Sequence, residues 1–513
     1  MLKKEEYKVV DLFAGPGGLG EGFSALGFDT GKSLFKLAVS IEKDPSAHST
    51  LLLRSFYRQF TQDNTPQKYW EYVRGDITKA ELFDSFPNQA KAAAMEAQCL
   101  ELGKVPHDEV KKLIHQRLNG CEKWVLVGGP PCQAYSLIGR SRMRNTVPDF
   151  ESDERHFLYK EYLRIIADHK PPVFIMENVK GMLSAQHSGK KIIWSILSDL
   201  RHPNKAVYGN KSGPMYKLFS LVNYKPHESC EPEDFLVRAE KYGIPQARHR
   251  VLILGIREGI DITPKTLTPS GPITIAQAIG DLPKIRSGVS KEEDSLEFWR
   301  TLLGSVTEEH WYTNGKTKSL ISVVAKINAA LKRIQKRSLG RGAETLAYNS
   351  TPKVYAEWFR RGCGGIITNH SGRSHMRSDL HRYFFASSFA SVHGRSVHLS
   401  DLPKELLPAH KNVHNETKNE AFSDRFRVQV RDRPATTITS HISKDGHYFI
   451  HYDPAQCRSL TVREAARLQT FPDSYKFEGN RTSQYHQVGN AVPPLLSNQI
   501  AEIVKDILGK LKP

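Results

Sequence analysis

The stretch Lys8-Val9-Val10-Asp11-Leu12-Phe13-Ala14-Gly15-Pro16-Gly17-Gly18-Leu19-Gly20 runs from an apolar, strand-like segment into a glycine turn and out into a helical pattern. A strand that hands over to a helix through glycines is the opening unit of an α/β domain. Glycine there lets unhindered backbone approach a bound cofactor at the start of a helix. Formally the stretch is GxGxxG, and the acidic Glu42 stands 22 residues beyond Gly20, the distance at which a dinucleotide site carries its ribose-binding acid.

Outward from that unit, short apolar runs alternate with helical patterns to about residue 264, which predicts a largely parallel sheet. The strand candidates are Tyr7 to Phe13, Leu37 to Glu42, Trp124 to Gly128, Val173 to Glu177, Leu218 to Val222 and Val251 to Leu254. In such sheets ligands bind outside the carboxyl ends of the strands, so the residues trailing each run are the first candidates for a site. Glu42 suits the ribose of NAD or of S-adenosyl-L-methionine equally, and taken alone it is a strand-end charge. Gly75-Asp76-Ile77 reads as a further strand-end acid with the same ambiguity. Residues 79–118, rich in Ala, Glu and Lys, read as one or two inserted surface helices without chemistry.

Three further constellations carry chemistry. In Gly128-Gly129-Pro130-Pro131-Cys132-Gln133 a strand delivers a thiol into a loop stiffened by two prolines. A lone cysteine is usually a buried hydrophobe, but that loop favours an exposed, reactive thiol. Phe174-Ile175-Met176-Glu177-Asn178-Val179 is a buried-type strand ending in a carboxylate, which either shares a proton in chemistry or caps the next helix. In Gln246-Ala247-Arg248-His249-Arg250, Arg248 and Arg250 alternate onto one face, where they bind an acidic group or form structural ion pairs.

The bulk composition bounds the partners. The chain has 513 residues and a formal net charge of +18, from 73 Lys and Arg against 55 Asp and Glu. That balance favours a polyanion, nucleic acid before membrane. Residues 265–432 alone hold 26 Lys and Arg against 16 Asp and Glu. Around Asn369 to Arg377 and His381-Arg382-Tyr383-Phe384-Phe385 the basic residues interleave with aromatics. This suits phosphate contact and base stacking, or else a basic face whose aromatics turn into a small core. Later, Thr461-Val462-Arg463-Glu464 predicts a helix opened by a capping box, with Ala465, Ala466 and Leu468 buried. Six scattered cysteines without a CxxC pair predict neither a metal site nor a disulfide scaffold. The N-terminus leaves no room for a signal peptide, and no apolar run approaches the roughly 18 residues that span a bilayer. A soluble, intracellular protein is expected.

Taken in order, these motifs resemble the DNA cytosine-5 methyltransferase family of bacterial restriction-modification systems. Phe13-Ala14-Gly15-Pro16-Gly17-Gly18 is similar to the family's cofactor loop, Pro130-Pro131-Cys132-Gln133 to its nucleophile loop, Glu177-Asn178-Val179 to its ENV signature and Gln246 to Arg250 to its QxRxR. Arg433-Pro434-Ala435-Thr436-Thr437-Ile438 resembles the motif beneath the recognition region. Gln487-Val488-Gly489-Asn490-Ala491-Val492-Pro493-Pro494 resembles the closing motif. The resemblance implies a Rossmann-like, S-adenosylmethionine-dependent catalytic domain over 1–264 and 434–513, with a smaller DNA target-recognition domain over 265–433 inserted in it.

It also implies roles. Cys132 is the nucleophile and Glu177, Arg248 and Arg250 complete the catalytic set. S-adenosyl-L-methionine is held by Phe13, Ala14, Gly15, Gly17, Gly18, Leu19, Glu42, Asp76, Ile77, Pro131, Leu158, Asn490 and Ala491. Of these, Phe13 stacks on the adenine, Glu42 binds the ribose, and Asp76 with Ile77 borders the adenine. Double-stranded DNA is the expected partner of a monomer in the bacterial cytoplasm, at the nucleoid and paired with a restriction endonuclease. A tRNA cytosine-5 methyltransferase is the alternative within the same chemistry. An NAD-dependent oxidoreductase would explain only the glycine loop, and a non-catalytic DNA-binding module would leave the full set of reactive residues without a purpose.

Overall fold

The computed structural model describes residues 6–27, 33–61, 64–131, 154–187, 190–210, 212–314, 317–408 and 425–511, so Cys132 lies outside the described residues. The chain divides into two compact units, one of residues 1–66, 79–271 and 491–513, the other of 67–78 and 272–490.

The first unit is built on one eight-stranded sheet. Its strands are β1 (Tyr7–Leu12), β2 (Phe35–Glu42), β3 (Ala97–Cys99), β4 (Trp124–Gly128), β5 (Val173–Val179), β6 (Tyr216–Phe219), β7 (Leu236–Arg238) and β8 (His249–Arg257). They lie in the order β3-β2-β1-β4-β5-β8-β6, with β7 also paired to β8. The first five are parallel, and β8 runs antiparallel to β5, β6 and β7. This is the α/β, Rossmann-like order. The chain winds outward from β1 to β3, then returns to β4 on the other side of β1. The β1/β4 junction is therefore the switch point, where a crevice opens at the carboxyl ends.

Both faces of the sheet are covered, which is why its strands read as continuous apolar runs. Alternate residues point to opposite sides. Val9, Val125 and Val127 join the core beneath helices Gly18–Ala25 and Pro494–Leu508, while Val10, Leu12 and Leu126 join the core beneath His107–Leu118 and Glu154–His169. The helix Gly18–Ala25 approaches the C-terminal segment too closely for side chains. A Cβ on Gly18 would stand 2.2 Å from the Val492 carbonyl oxygen, and one on Gly22 would stand 2.4 Å from that of Pro494. Ser497 Oγ donates to the Leu19 carbonyl at 2.7 Å across the same contact. The glycine loop is thus also a helix-packing device, joining the two ends of the chain.

Residues 79–118 differ from their reading as surface helices. They contain helices Lys79–Ser85, Pro87–Glu96 and His107–Leu118, but also β3, the edge strand of the sheet. Val110 and Ile114 are buried in the core. Ala-Gln-Cys is a strand without β-branched residues or alternation, so only its pairing to β2 creates it. Gly75-Asp76-Ile77 does not end a strand either. It follows the helix Gln67–Arg74, and belongs to the second unit.

The second unit packs helices Leu296–Gly304, Lys318–Lys336 and Arg377–His393 around Trp299, Ile327, Tyr383, Phe384 and Phe385. The aromatics of the basic stretch are therefore core. Its cations have intramolecular partners: Arg373 donates to the carbonyls of Lys444 and Ile442, Arg382 pairs with Asp379 at 2.8 Å, and Arg377 pairs with Glu292. The unit also takes in 434–490, more than the 265–433 expected, because that stretch is anchored by buried arginines. Arg463 donates to the carbonyl of Thr368 at 2.9 Å, and Arg467 to that of Ala278 at 3.0 Å.

The helix Val462–Leu468 opens with the expected capping box: Glu464 N donates to Thr461 Oγ1 at 3.1 Å and Thr461 N to Glu464 Oε2 at 2.8 Å. Glu464 is fully buried and receives both Arg458 amino groups, at 2.6 and 2.7 Å. Burial alone would raise its pKa, but the charge of Arg458 overrides this and holds the carboxyl far below the usual carboxylate range. Glu464→Gln keeps the shape and leaves the Arg458 charge buried without its partner. An uncompensated buried charge costs about 3–5 kcal/mol, and denaturant unfolding should show a loss of that order.

Candidate active site

The switch-point crevice is lined first by the loop after β1. Phe13 and Gly15 both adopt the left-handed backbone region, each at φ 56°, and Gly17 does so at φ 92°. For phenylalanine that conformation costs on the order of 1–3 kcal/mol, a strain that surrounding structure must hold in place. Part of the hold is visible: Ala14 N donates to the Ile41 carbonyl at 3.0 Å and Gly15 N to Glu42 Oε2 at 2.8 Å. Glu42 Oε1 accepts from Asp44 N at 2.7 Å. A carboxylate has about four acceptor positions, so two remain for a pair of hydroxyls. Leu19 points elsewhere: its side chain is buried in the core, leaving only its backbone for a ligand. Phe13 and Leu158 are half-buried and pack on the same core cluster.

Beneath this loop Asp11 is fully buried at the end of β1, with Gly20 N donating to its Oδ2 at 3.2 Å. Desolvation pushes its carboxyl up to about 8, against the Gly20 hydrogen bond and with help from the Glu42 charge. A carboxyl raised on folding takes up a proton as the chain folds. Its effect is nil below about pH 4, and it destabilises progressively as the pH rises to about 8, by at most about 1.4 kcal/mol per pH unit. Asp11→Asn is expected to flatten that part of the stability profile, as read by unfolding free energies at pH 5 and pH 8. An unchanged slope would contradict the assignment.

The second wall is built by β4, β5 and β8. Gly128 pairs with Met176, which brings Gly129 beside Glu177: a Cβ on Gly129 would lie 2.7 Å from Glu177 Oε2. Asn178 Nδ2 donates to the Pro130 carbonyl at 3.2 Å and so ties the double-proline turn to β5, a contact the sequence reading did not single out. Its signal was available: a short amide directly after a strand-end acid is placed to hold a neighbouring turn. Pro131 is half-buried, and the residue after it, Cys132, lies outside the described residues.

Across from β5, Arg250 of β8 pairs in register with Val179, and its Nε lies 2.8 Å from Glu177 Oε1. Burial lowers the Arg250 pKa while Glu177 opposes the shift. Arg248 is buried too, its pKa lowered by burial and then by the like charge of Arg250. Between them His249 turns away to Glu240 Oε1 at 2.9 Å. Two guanidiniums and one carboxylate therefore converge at the end of β5, next to the double-proline turn. That group can hold a polar heterocycle with its acceptor and donor edges engaged, and can stabilise charge that develops on it.

The remaining candidates fall elsewhere. Asp76 is exposed and pairs with Arg74 at 2.8 Å, and with Ile77 it lies in the second unit. Asn490, with Nδ2 3.2 Å from His486 Nδ1, ends the second unit and Ala491 begins the last segment of the first. Among the described residues no His, Cys, Asp and Glu cluster could hold a metal ion, and no helix is long and apolar enough to cross a membrane.

The family model for C-5 cytosine-specific DNA methylases matches residues 85–506. Type II methyltransferase M.Bpa9945I of Bacillus paralicheniformis is 33% identical, over 98% of this chain and 99% of its own. Type II methyltransferase M.DdeI of Desulfomicrobium norvegicum is 26% identical over 96% of this chain and 87% of its own. M.AgeI of Thalassovita gelatinovora is also 26% identical, over 97% and 99%. Together with the sheet order and the residues gathered at its switch point, these matches show that the chain belongs to the C-5 cytosine-specific DNA methylases and is a DNA (cytosine-5-)-methyltransferase.

Proposed function

We propose that the chain methylates C5 of a cytosine within a specific double-stranded DNA sequence, through a covalent bond between Cys132 and C6 of the base. The observation that carries this reading is the Glu177–Arg250 pair held against Gly129, one residue before the double-proline turn that leads to Cys132. C5 of cytosine is too weak a nucleophile to accept a methyl group unaided. Attack by the Cys132 thiolate forms the S–C6 bond and moves the ring's electron pair toward C5. Glu177 accepts from the exocyclic amine and engages N3, and Arg250 fixes the carboxylate in that pose while Arg248 supports it. S-adenosyl-L-methionine, when bound, supplies the methyl group that C5 receives. Loss of the C5 proton to a base and expulsion of the Cys132 thiolate then restore the aromatic ring.

The donor set fits that cofactor: Glu42 has two free acceptor positions for ribose hydroxyls, and Phe13 is half-buried at the neighbouring strand end. A stacked base cannot reach a strand-end cleft, so the target cytosine is flipped out, at a cost of a few kcal/mol. The second unit, which holds 272–433 of the expected recognition region, supplies the contacts to the DNA backbone and to base edges. In this reading the chain works as a monomer at the nucleoid of a bacterial cytoplasm, paired with a restriction endonuclease, as the family resemblance implies. Bisulfite sequencing of plasmid from a bacterial host expressing the chain tests the reading. Protected cytosines confined to one short motif support it, whereas an unmethylated plasmid alongside methylated tRNA would favour the alternative substrate.

A further inference from the structure

The cofactor pocket of an open sheet is closed on its outer side by whatever follows the third strand. In this chain that strand is β3, Ala97–Cys99, and not the segment before Asp76. β3 runs parallel to β2 in a register that pairs Cys99 with Glu42. The next residue is fastened there as well, since Leu100 N donates to the Glu42 carbonyl at 3.1 Å. Leu100 is half-buried and packs on the same core cluster as Phe13 and Leu158. Gly103, in the loop that continues from it, would bring a Cβ within 3.6 Å of Leu158 Cδ2. The exposed Cys99 thiol lies within electrostatic reach of the Glu42 and Asp44 carboxylates, after burial the next causes of its raised pKa. Asp76, by contrast, is exposed and paired with Arg74.

We propose that Cys99 and Leu100, at the carboxyl end of β3, border the adenine ring of S-adenosyl-L-methionine in place of Asp76 and Ile77. The inference rests on the reading of Phe13 and Glu42 as the cofactor site. A flat, largely apolar ring needs an apolar wall beside the polar group that holds its ribose. Leu100 supplies that wall one residue beyond the strand position paired with Glu42. A departure of this kind follows from the helices Lys79–Ser85 and Pro87–Glu96, which separate the acid at Asp76 from the strand that completes the sheet.

Cys99 provides a direct probe in the unaltered protein. N-ethylmaleimide labelling, followed peptide by peptide by mass spectrometry, should be slowed at Cys99 by saturating S-adenosylhomocysteine. Cys121, at the amino end of β4 and hence at the opposite edge of the sheet, should react at the same rate with and without it. By calorimetry, Leu100→Ala should weaken S-adenosylhomocysteine binding roughly tenfold, while Asp76→Ala leaves it within about twofold. Unprotected Cys99 together with a binding loss in Asp76→Ala would overturn the proposal, provided Glu42→Ala also loses binding, and the cofactor site itself would then stand. If the wild-type chain binds no S-adenosylhomocysteine, or Glu42→Ala binds it as the wild type does, the cofactor reading fails and the proposal with it.

Discussion

Cys132→Ala is expected to abolish transfer of tritiated methyl groups to DNA while leaving S-adenosylhomocysteine binding unchanged. The size of the effect follows from the role. Without the thiolate no bond forms at C6, and C5 keeps the low nucleophilicity of an intact aromatic ring. Loss of a nucleophile costs roughly 10⁴-fold or more in kcat, with only binding and electrostatic contributions surviving. Retained binding is part of the expectation, because the residues that fit the cofactor belong to the ends of β1 and β2 and to the helix Glu154–His169. A variant that still methylates DNA would remove Cys132 from the mechanism.

Glu177→Gln should have the second largest effect. The amide is the same size, so the strand pairing of Glu177 with Leu252 and the clearance beside Gly129 are preserved. What is lost is a negative charge facing Arg250 at 2.8 Å and an oxygen that accepts from the base's amine. Removing one preorganised electrostatic partner from a water-poor site lowers kcat by roughly 10²–10³-fold. The split between parameters distinguishes this from a folding defect. Steady-state kinetics should show kcat falling while KM for DNA changes little, since DNA binding draws on the second unit. A raised KM with an unaltered kcat would instead assign Glu177 to substrate binding.

Much of the first unit was legible in the sequence because its central strands are buried on both faces. Tyr7–Leu12, Trp124–Gly128 and Val173–Val179 announce themselves as apolar runs ending in Gly, Pro or charge. The carboxylate and the double-proline turn were legible for the same reason, since each sits where such a run stops. β3 was not legible: three residues without β-branching carry no periodicity, and the strand exists only through its partner β2. Asp76, which reads as a strand-end acid, instead follows the helix Gln67–Arg74. In the second unit the interleaved aromatics and arginines were ambiguous between a surface and a core. Packing rather than helical spacing resolves them, because every residue from Tyr383 to Ala390 is buried in the helix Arg377–His393, while Arg382 pairs with the buried Asp379 one turn away.

The central claim is a covalent bond between this chain and the base it modifies. A duplex carrying 5-fluorocytosine at the mapped target tests it directly, because fluorine cannot leave C5 as a proton does and elimination is blocked. Incubated with S-adenosyl-L-methionine, the wild-type chain should form a denaturation-resistant adduct whose peptide map places the cytosine on Cys132, and Cys132→Ala should form none. Full methylation of ordinary target DNA with no adduct on the fluorinated duplex, or an adduct on another residue, would contradict the account.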